Sequence, residues 1–297
     1  MKDLFRTRIG FEGSLDEISR LICKEYNFGN YLGYRLIPVG YEDFNFLLQT
    51  ARGRFFVKMF ATSRTLNDCI RNVDIMLNVL KSGISIPKLY SSLKGNYLSV
   101  LSGGKLTLRI CVMDFIEGKD LFTSKAKISR EDVCSVALLA SRLNSLKIKP
   151  PKIYDSWAIP NFLEEFKKKS KYLNQKELVL MKPLLRQFEM LDVPTLPFCF
   201  VHGDILRTNI IKDKNNKLWI IDFSVSNYYP RIQELAVLAC DVLFDKDDPE
   251  KSEQNLTLAL HEYQKRIKLT PRELWSLPVY IKLAHAMHFL CANYEKK

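Results

Sequence analysis

Hydrophobic and polar positions repeat in two different ways along the chain, and the change falls after about residue 115. Before that point, short extended runs alternate with two stretches in which apolar residues recur at helical spacing. The predicted helices cover 15–26 and 66–81, and the predicted strands cover 35–39, 45–50, 55–60, 88–90, 97–101 and 108–115. The first part of the chain is therefore predicted to be strand-rich, with antiparallel hairpins.

Helical periodicity dominates after Gly118. The predicted helices cover 131–146, 161–172, 178–191, 233–244, 256–267 and 271–293. One β interruption is predicted at 199–222, where two apolar runs, 209–212 and 218–221, flank a turn-rich segment. A strand-rich part is thus followed by a helical part that contains one hairpin.

Polar side chains suited to chemistry lie on this hairpin. Asp204 and Asn209 are five residues apart, and Asp222 follows the second apolar run. If the segment between them folds as a hairpin, Asn209 and Asp222 come side by side, and their oxygen atoms suit Mg²⁺. Asp204 then remains to accept the proton of an attacking hydroxyl, or to orient that hydroxyl toward a γ-phosphate.

The run His-Gly-Asp-x-x-x-x-Asn at 202–209, followed by a hairpin and Ile-Asp-Phe at 221–223, resembles a known motif. It is similar to that of the aminoglycoside phosphotransferase, choline kinase and homoserine kinase superfamily, relatives of the protein kinases. The resemblance implies that Asp204 is the catalytic aspartate, that Asn209 and Asp222 bind Mg²⁺, and that ATP is the phosphate donor.

The same resemblance implies an α+β, bilobal protein-kinase-like fold with an N-terminal antiparallel-sheet lobe and a mostly helical C-terminal lobe. The nucleotide-binding lobe would cover 1–112, a hinge 113–118, and the helical lobe, with the catalytic hairpin and substrate site, 119–297. Gly40 and Asn45 would belong to a turn that covers the nucleotide. Backbone groups near Asp114 and Ile116 would hydrogen-bond adenine.

Lys58 is the single lysine of an otherwise apolar strand, a costly position unless the ammonium has an anionic partner. The resemblance makes it the lysine that binds the α- and β-phosphates, and the motif favours this over a lysine on an edge strand that reaches out to water. Asp74 would be its acidic partner on the following helix, where glutamate is usual. A surface aspartate is the alternative.

Composition changes this picture little. The net charge of +12 could indicate an anionic partner, but nucleic acid is not favoured, because the lysine cluster at 167–171 is predicted to be the solvated face of a helix. The seven scattered cysteines indicate neither disulfides nor zinc. The absence of a secretory signal and of a long apolar run predicts a cytoplasmic protein without a membrane partner.

The favoured function is an ATP-dependent phosphotransferase that acts on a hydroxyl of a small molecule: an aminoglycoside, an amino-alcohol or another metabolite. The alternatives are a nucleotide-binding pseudokinase and, from the charge alone, a nucleic-acid binder. His202 is expected to be structural, and Arg207 to be either a phosphate contact or a surface residue. The acids that could recognise a cationic acceptor are Asp155, Glu164, Glu165, Asp241 and Asp245.

Overall fold

The structure is a computed structural model that describes residues 8–10, 13–37, 43–103 and 106–295. The chain divides into two compact units, Met1–Glu117 and Gly118–Lys297. This division falls inside the segment 113–118 that the sequence predicts as the connector.

The first unit is built on an antiparallel sheet. Its described elements are α1 (Leu15–Glu25), β1 (Tyr31–Ile37), β2 (Phe44–Thr50), β3 (Gly53–Met59), α2 (Leu66–Lys81), β4 (Leu89–Tyr90), β5 (Ser99–Gly103) and β6 (Leu106–Asp114). The strand order is β1-β2-β3-β6-β4, and β5 also pairs with β6. The predicted helices and strands are all present, with ends that differ by up to four residues.

Alternation along the strands gives this sheet two different faces. One face carries Phe46, Val57 and Ile110, which form a buried apolar core with residues of α1. The other face carries Lys58, whose neighbours across the sheet are Asn45 on β2 and Cys111 on β6. Lys58 thus lies on the face of the sheet opposite this apolar core.

The second unit is mostly helical. Its described elements are β7 (Gly118–Asp120), α3 (Arg130–Asn144), α4 (Phe162–Lys169), α5 (Gln175–Met190), β8 (Phe198–Val201), β9 (Ile210–Asp213), β10 (Leu218–Ile220), β11 (Asn227–Pro230), α6 (Ile232–Cys240), α7 (Pro249–Gln264) and α8 (Pro271–Glu295). The α+β fold class predicted from the sequence is confirmed.

The hairpin predicted at 209–221 is present as β9 and β10, with Ile211 opposite Trp219. Two further pairings were not predicted. β7 adds a third strand to the hairpin, and β8 pairs with β11. β9 and β10 are equally short but flank a turn-rich segment, whereas the partners of β7 and β8 are distant in sequence, so no local signal marks those pairings.

The prediction that the lysine cluster is a solvated face is wrong for Lys169. Its ammonium is buried, 2.8 Å from Glu165 Oε2 and 3.0 Å from Cys291 Sγ. The carboxylate one turn earlier on α4 supplies the anion that makes burial of this cation tolerable. Lys167 and Lys168 are exposed, as expected.

The cysteines in the structure are free thiols, in agreement with their scattered spacing. Across the described ranges, no helix combines the length and the apolar character needed to span a membrane.

Candidate active site

The loop between β8 and β9 carries the motif residues. Buried Phe200 and Val201 anchor its start in the β8–β11 pair, and buried Ile205 anchors its middle. Gly203 has φ +85°, a left-handed conformation that favours glycine. This turn lets the chain leave β8 and present the side chain of Asp204 at a partly exposed position.

Asp204 and Asn209 are held together by hydrogen bonds. Asn209 Nδ2 donates to Asp204 Oδ2 at 2.7 Å and to the Asp204 carbonyl oxygen at 2.9 Å. The single 3₁₀ turn Arg207–Asn209 brings the amide back to the aspartate. Since Nδ2 is used in this way, Oδ1 is the atom of Asn209 that suits a cation.

Asp222 lies at the base of the same hairpin. Ile220 pairs with Ile210, and Ile221 N–H donates to the Asn209 carbonyl at 3.0 Å, so the end of β10 lies beside Asn209. Asp222 has φ +63°, a conformation that is uncommon outside glycine and that concentrates at functional sites.

The carboxylates of Asp204 and Asp222 are close enough to interact electrostatically. Burial is the main cause that raises the pKa of Asp204 to about 7, and the charges of Asp222 and Asp155 raise it further. The structure therefore gathers two carboxylates and an amide at the hairpin base, where the sequence places them.

His202 links the loop to the hairpin. Its Nε2 lies 3.1 Å from the Ile221 carbonyl, and its Nδ1 accepts from Asp204 N–H at 3.2 Å. These partners fit a neutral ring protonated at Nε2. Burial lowers the pKa of His202 to about 4, so the ring is neutral at physiological pH and its position is structural.

Glu234 on α6 braces the same loop from behind. Its fully buried carboxylate accepts from His202 N–H at 2.6 Å, from Gly203 N–H at 3.2 Å and from Asn144 Nδ2 at 3.3 Å. Tyr263 O–H in turn donates to Asn144 Oδ1 at 2.8 Å. The loop that presents Asp204 is thereby tied to α3, α6 and α7.

Arg207 is a structural residue within this unit. Its guanidinium donates to the carbonyls of Asp241, Val242 and Phe244 at 2.9 to 3.2 Å. Its backbone N–H also donates to Asp241 Oδ1 at 2.6 Å. These bonds fasten the loop to the end of α6 and satisfy donors that a bound phosphate would need.

The acids named as candidates for acceptor recognition fall into two groups. Asp155 and Asp241 both raise the pKa of Asp204 through their charge, so their carboxylates lie near it. Glu164 and Glu165 instead pair with Lys168 at 2.6 and 3.3 Å. Asp245 lies 3.8 Å from an exposed lysine.

In the first unit, the structure pairs Lys58 with Asp43. Lys58 Nζ is 3.2 Å from Asp43 Oδ2, and both side chains are buried. The prediction that Asp74 is the partner of this lysine is wrong, because the side chain of Asp74 points from α2 to solvent. Asp43, which precedes β2, occupies the role that the sequence assigned to the helix.

The other predicted nucleotide residues lie around the same sheet. Asn45 is directly opposite Lys58 on the neighbouring strand, whereas Gly40 lies outside the described residues. Asp114 N–H donates to the Lys88 carbonyl at 2.9 Å. Ile116 follows β6 at the end of this unit. Adenine binding at Asp114 and Ile116 stays a prediction.

Sequence reasoning missed Asp43 and the bracing role of Glu234. Asp43 stands two residues before Asn45 in the predicted turn, but only the 3.2 Å distance between Asp43 Oδ2 and Lys58 Nζ shows that it reaches Lys58. Glu234 was noted as a departure from the Asp-Leu-Ala of relatives, and its hydrogen bonds could not be read from spacing. No signal in the sequence distinguished these acids from surface ones.

Comparison with known proteins gives the family of this chain. The family model described as "Phosphotransferase enzyme family", APH, matches residues 33–268. The chain belongs to this phosphotransferase family. The prediction of a small-molecule phosphotransferase is therefore confirmed at the level of the family.

Relatives of this phosphotransferase include a homoserine kinase from Sinorhizobium medicae, 22% identical over 283 residues that cover 94% of this chain and 84% of the relative. Among solved structures, a microcompartment-associated aminopropanol kinase has a TM-score of 0.70 at 13% identity and covers 93% of this chain and 94% of its own. An amicoumacin kinase, hAmiN, in complex with AMP-PNP, Ca²⁺ and Ami has a TM-score of 0.67 at 15% identity and covers 95% of this chain and 87% of its own. These structural matches confirm the fold.

Proposed function

We propose that this chain transfers the γ-phosphate of ATP to a hydroxyl of a small amino-alcohol, with Asp204 as the catalytic residue. The observation that carries the proposal is the gathering of Asp204, Asn209 and Asp222 at one hairpin base. Family membership and the relatives' names support a kinase of this class.

The donor set at the hairpin base fits Mg²⁺. Asn209 offers an amide oxygen and Asp222 a carboxylate, and Mg²⁺ is usually held by one or two protein ligands together with substrate phosphates. Across the described part of the chain there is no cluster of three or more His, Cys, Asp or Glu side chains that could hold a metal ion. Bound Mg²⁺ would neutralise charge on the phosphates of ATP.

Asp204 would orient the acceptor hydroxyl and take its proton. Asn209 holds one oxygen of this carboxylate, and Glu234 holds the backbone on either side of His202, so the carboxylate is placed before substrate arrives. Lys58 in the first unit would bind the α- and β-phosphates.

An amino-alcohol acceptor is favoured by charge. The carboxylates of Asp155 and Asp241 lie near Asp204 and create a negative field beside the hydroxyl-binding position. Such a field suits a protonated amine. The named relatives that act on homoserine and aminopropanol have acceptors of this kind.

The test is ATP consumption with homoserine, 1-amino-2-propanol, choline and an aminoglycoside, each with and without a divalent-ion chelator. Asp204→Asn should reduce turnover by about 10²-fold or more while changing nucleotide affinity less than about twofold. Asp247→Asn, a change at an exposed aspartate of the same unit, is the matched control. Unchanged turnover in Asp204→Asn would exclude this mechanism, and nucleotide binding without any phosphorylated product would indicate a pseudokinase.

A further inference from the structure

The face of the sheet that carries Lys58 is covered by α2. Arg109 on β6 reaches Cys69 of α2, with Nη1 4.0 Å from Sγ. Arg109 and Cys111 are two residues apart on β6, so they share a face, and Cys111 is the cross-strand partner of Lys58. The buried side of α2 therefore packs against the face of the sheet that carries Lys58, and an acid on that side of the helix would point toward this face.

That side of α2 carries no acid. The helix contains two aspartates: Asp68 is bonded to Thr65 in the N-terminal capping box, and Asp74 is exposed. One turn after Cys69, the buried residues are Arg71, Asn72 and Val73, none of them an acid; Asn72 is 2% exposed, and its Oδ1 and Nδ2 have no hydrogen-bond partner. The buried side of the helix thus offers no carboxylate to hold a lysine.

Asp43 supplies the anion from another element. Its Oδ2 lies 3.2 Å from Lys58 Nζ, and its Oδ1 accepts from Arg64 Nε at 2.8 Å and from Ala61 N–H at 3.0 Å. Arg8 Nη1 also donates to the Asp43 carbonyl at 3.3 Å. Bonds from the segment directly after β3 therefore fix the carboxylate, and the carboxylate fixes the lysine at the end of that strand.

We propose that Asp43 is the positioning residue for Lys58 in nucleotide binding, in place of an acid on α2. The buried pair holds the ammonium in one position, so that less side-chain freedom is lost when phosphates bind. α2 then has no part in fixing the lysine through a charge. This inference rests on the proposed nucleotide site, but not on transfer of phosphate.

The experiment is a double-mutant cycle read out as affinity for Mg²⁺ and a non-hydrolysable ATP analogue, measured by calorimetry. Asp43→Asn is made alone and together with Lys58→Met, and Asp74→Asn is the matched control on α2. Far-ultraviolet circular dichroism and the unfolding midpoint establish that each variant is folded. A residue that acts only through Lys58 has no effect once Lys58 is removed, whereas a merely structural residue keeps its effect.

Asp43→Asn is expected to weaken binding by about tenfold or more, Asp74→Asn by less than about twofold, and Asp43→Asn in the Lys58→Met background by less than about twofold. The proposal would be overturned if Asp74→Asn lost as much nucleotide affinity as Asp43→Asn, or if Asp43→Asn still weakened binding in the Lys58→Met background. It would also be overturned if the wild-type protein bound no nucleotide. If Asp43→Asn does not fold, Asp43→Glu replaces it in the cycle, and a change below about twofold there overturns the proposal. Nucleotide binding without product formation counts against the proposed function alone.

Discussion

Replacement of Glu234 by alanine should destabilise the second unit and release its catalytic loop. The carboxylate is fully buried and accepts the backbone N–H groups of His202 and Gly203. Alanine leaves both donors buried without this acceptor, at about 1 to 3 kcal/mol each. Asn144 also donates to the Phe200 carbonyl at 2.9 Å, so its amide keeps a partner and adds little.

Together the two unpaired N–H groups would cost about 2 to 6 kcal/mol, and one stabilising effect of the substitution reduces this cost. Burial raises the pKa of Glu234 to about 7, because the charged carboxylate is less stable in the folded protein than in water. Alanine removes this destabilising contribution. The expected loss in the free energy of unfolding is therefore about 1 to 4 kcal/mol, a large share of the 5 to 15 kcal/mol typical of a domain.

Urea unfolding followed by tryptophan fluorescence is a suitable assay, because the three tryptophans, Trp157, Trp219 and Trp275, all belong to the second unit. Glu253→Ala, an exposed glutamate on α7, is the control and should stay within about 0.5 kcal/mol of the wild type. Turnover should fall together with stability in Glu234→Ala. A free energy of unfolding within about 0.5 kcal/mol of the wild type would refute the bracing role.

Two further predictions concern the same unit. The folded-state pKa of Glu234 is raised from 4.5 to about 7, so the native protein keeps a proton that the unfolded chain loses, and this contribution to stability is full below about 4.5 and is lost as the pH rises through about 7. Glu234→Gln should therefore flatten this part of the plot of unfolding free energy against pH. An unchanged slope in Glu234→Gln would contradict this prediction. A Cβ at Gly118 would lie 2.4 Å from the Lys212 carbonyl oxygen of β9, so Gly118→Ala should lower the free energy of unfolding by about 1 to 3 kcal/mol or more. Lys119→Ala, at the exposed neighbouring position, is the control and should not lower it. Equal unfolding curves for the two variants would show that β7 shifts to accommodate the methyl group at little cost.

The hairpin and its acids were open to prediction because they depend on local rules. Two apolar runs around a turn-rich segment imply antiparallel pairing, and this pairing alone brings the segments that begin at Asn209 and end at Asp222 together. Helix α2 was predicted with its observed ends, 66–81, since its apolar spacing and the glycine that follows it are both local signals. The pairings of β7 with β9 and of β8 with β11 were missed because the paired strands are distant in sequence and no single turn joins them.

Charge partners were not open to prediction in the same way. Lys58 was expected to need an anion, but its partner was assigned to Asp74 from the order of elements, and the structure places Asp43 there instead. Lys169 was assigned to a solvated face, yet it is buried against Glu165 and a cysteine of the last helix. In both cases a polar residue on an amphipathic element looks the same in sequence whether it meets water or an ion partner.

The sequence by itself located the loop and hairpin that carry Asp204, Asn209 and Asp222, because periodicity and turn chemistry act over a few neighbouring residues. The resemblance of the motif at 202–223 implied the family and the fold class. Only the tertiary structure decided which acid holds Lys58 and which carboxylate braces the catalytic loop. The reason is physical: burial of a charge requires a partner in space, and that partner comes from whichever element packs nearby, however distant it is along the chain.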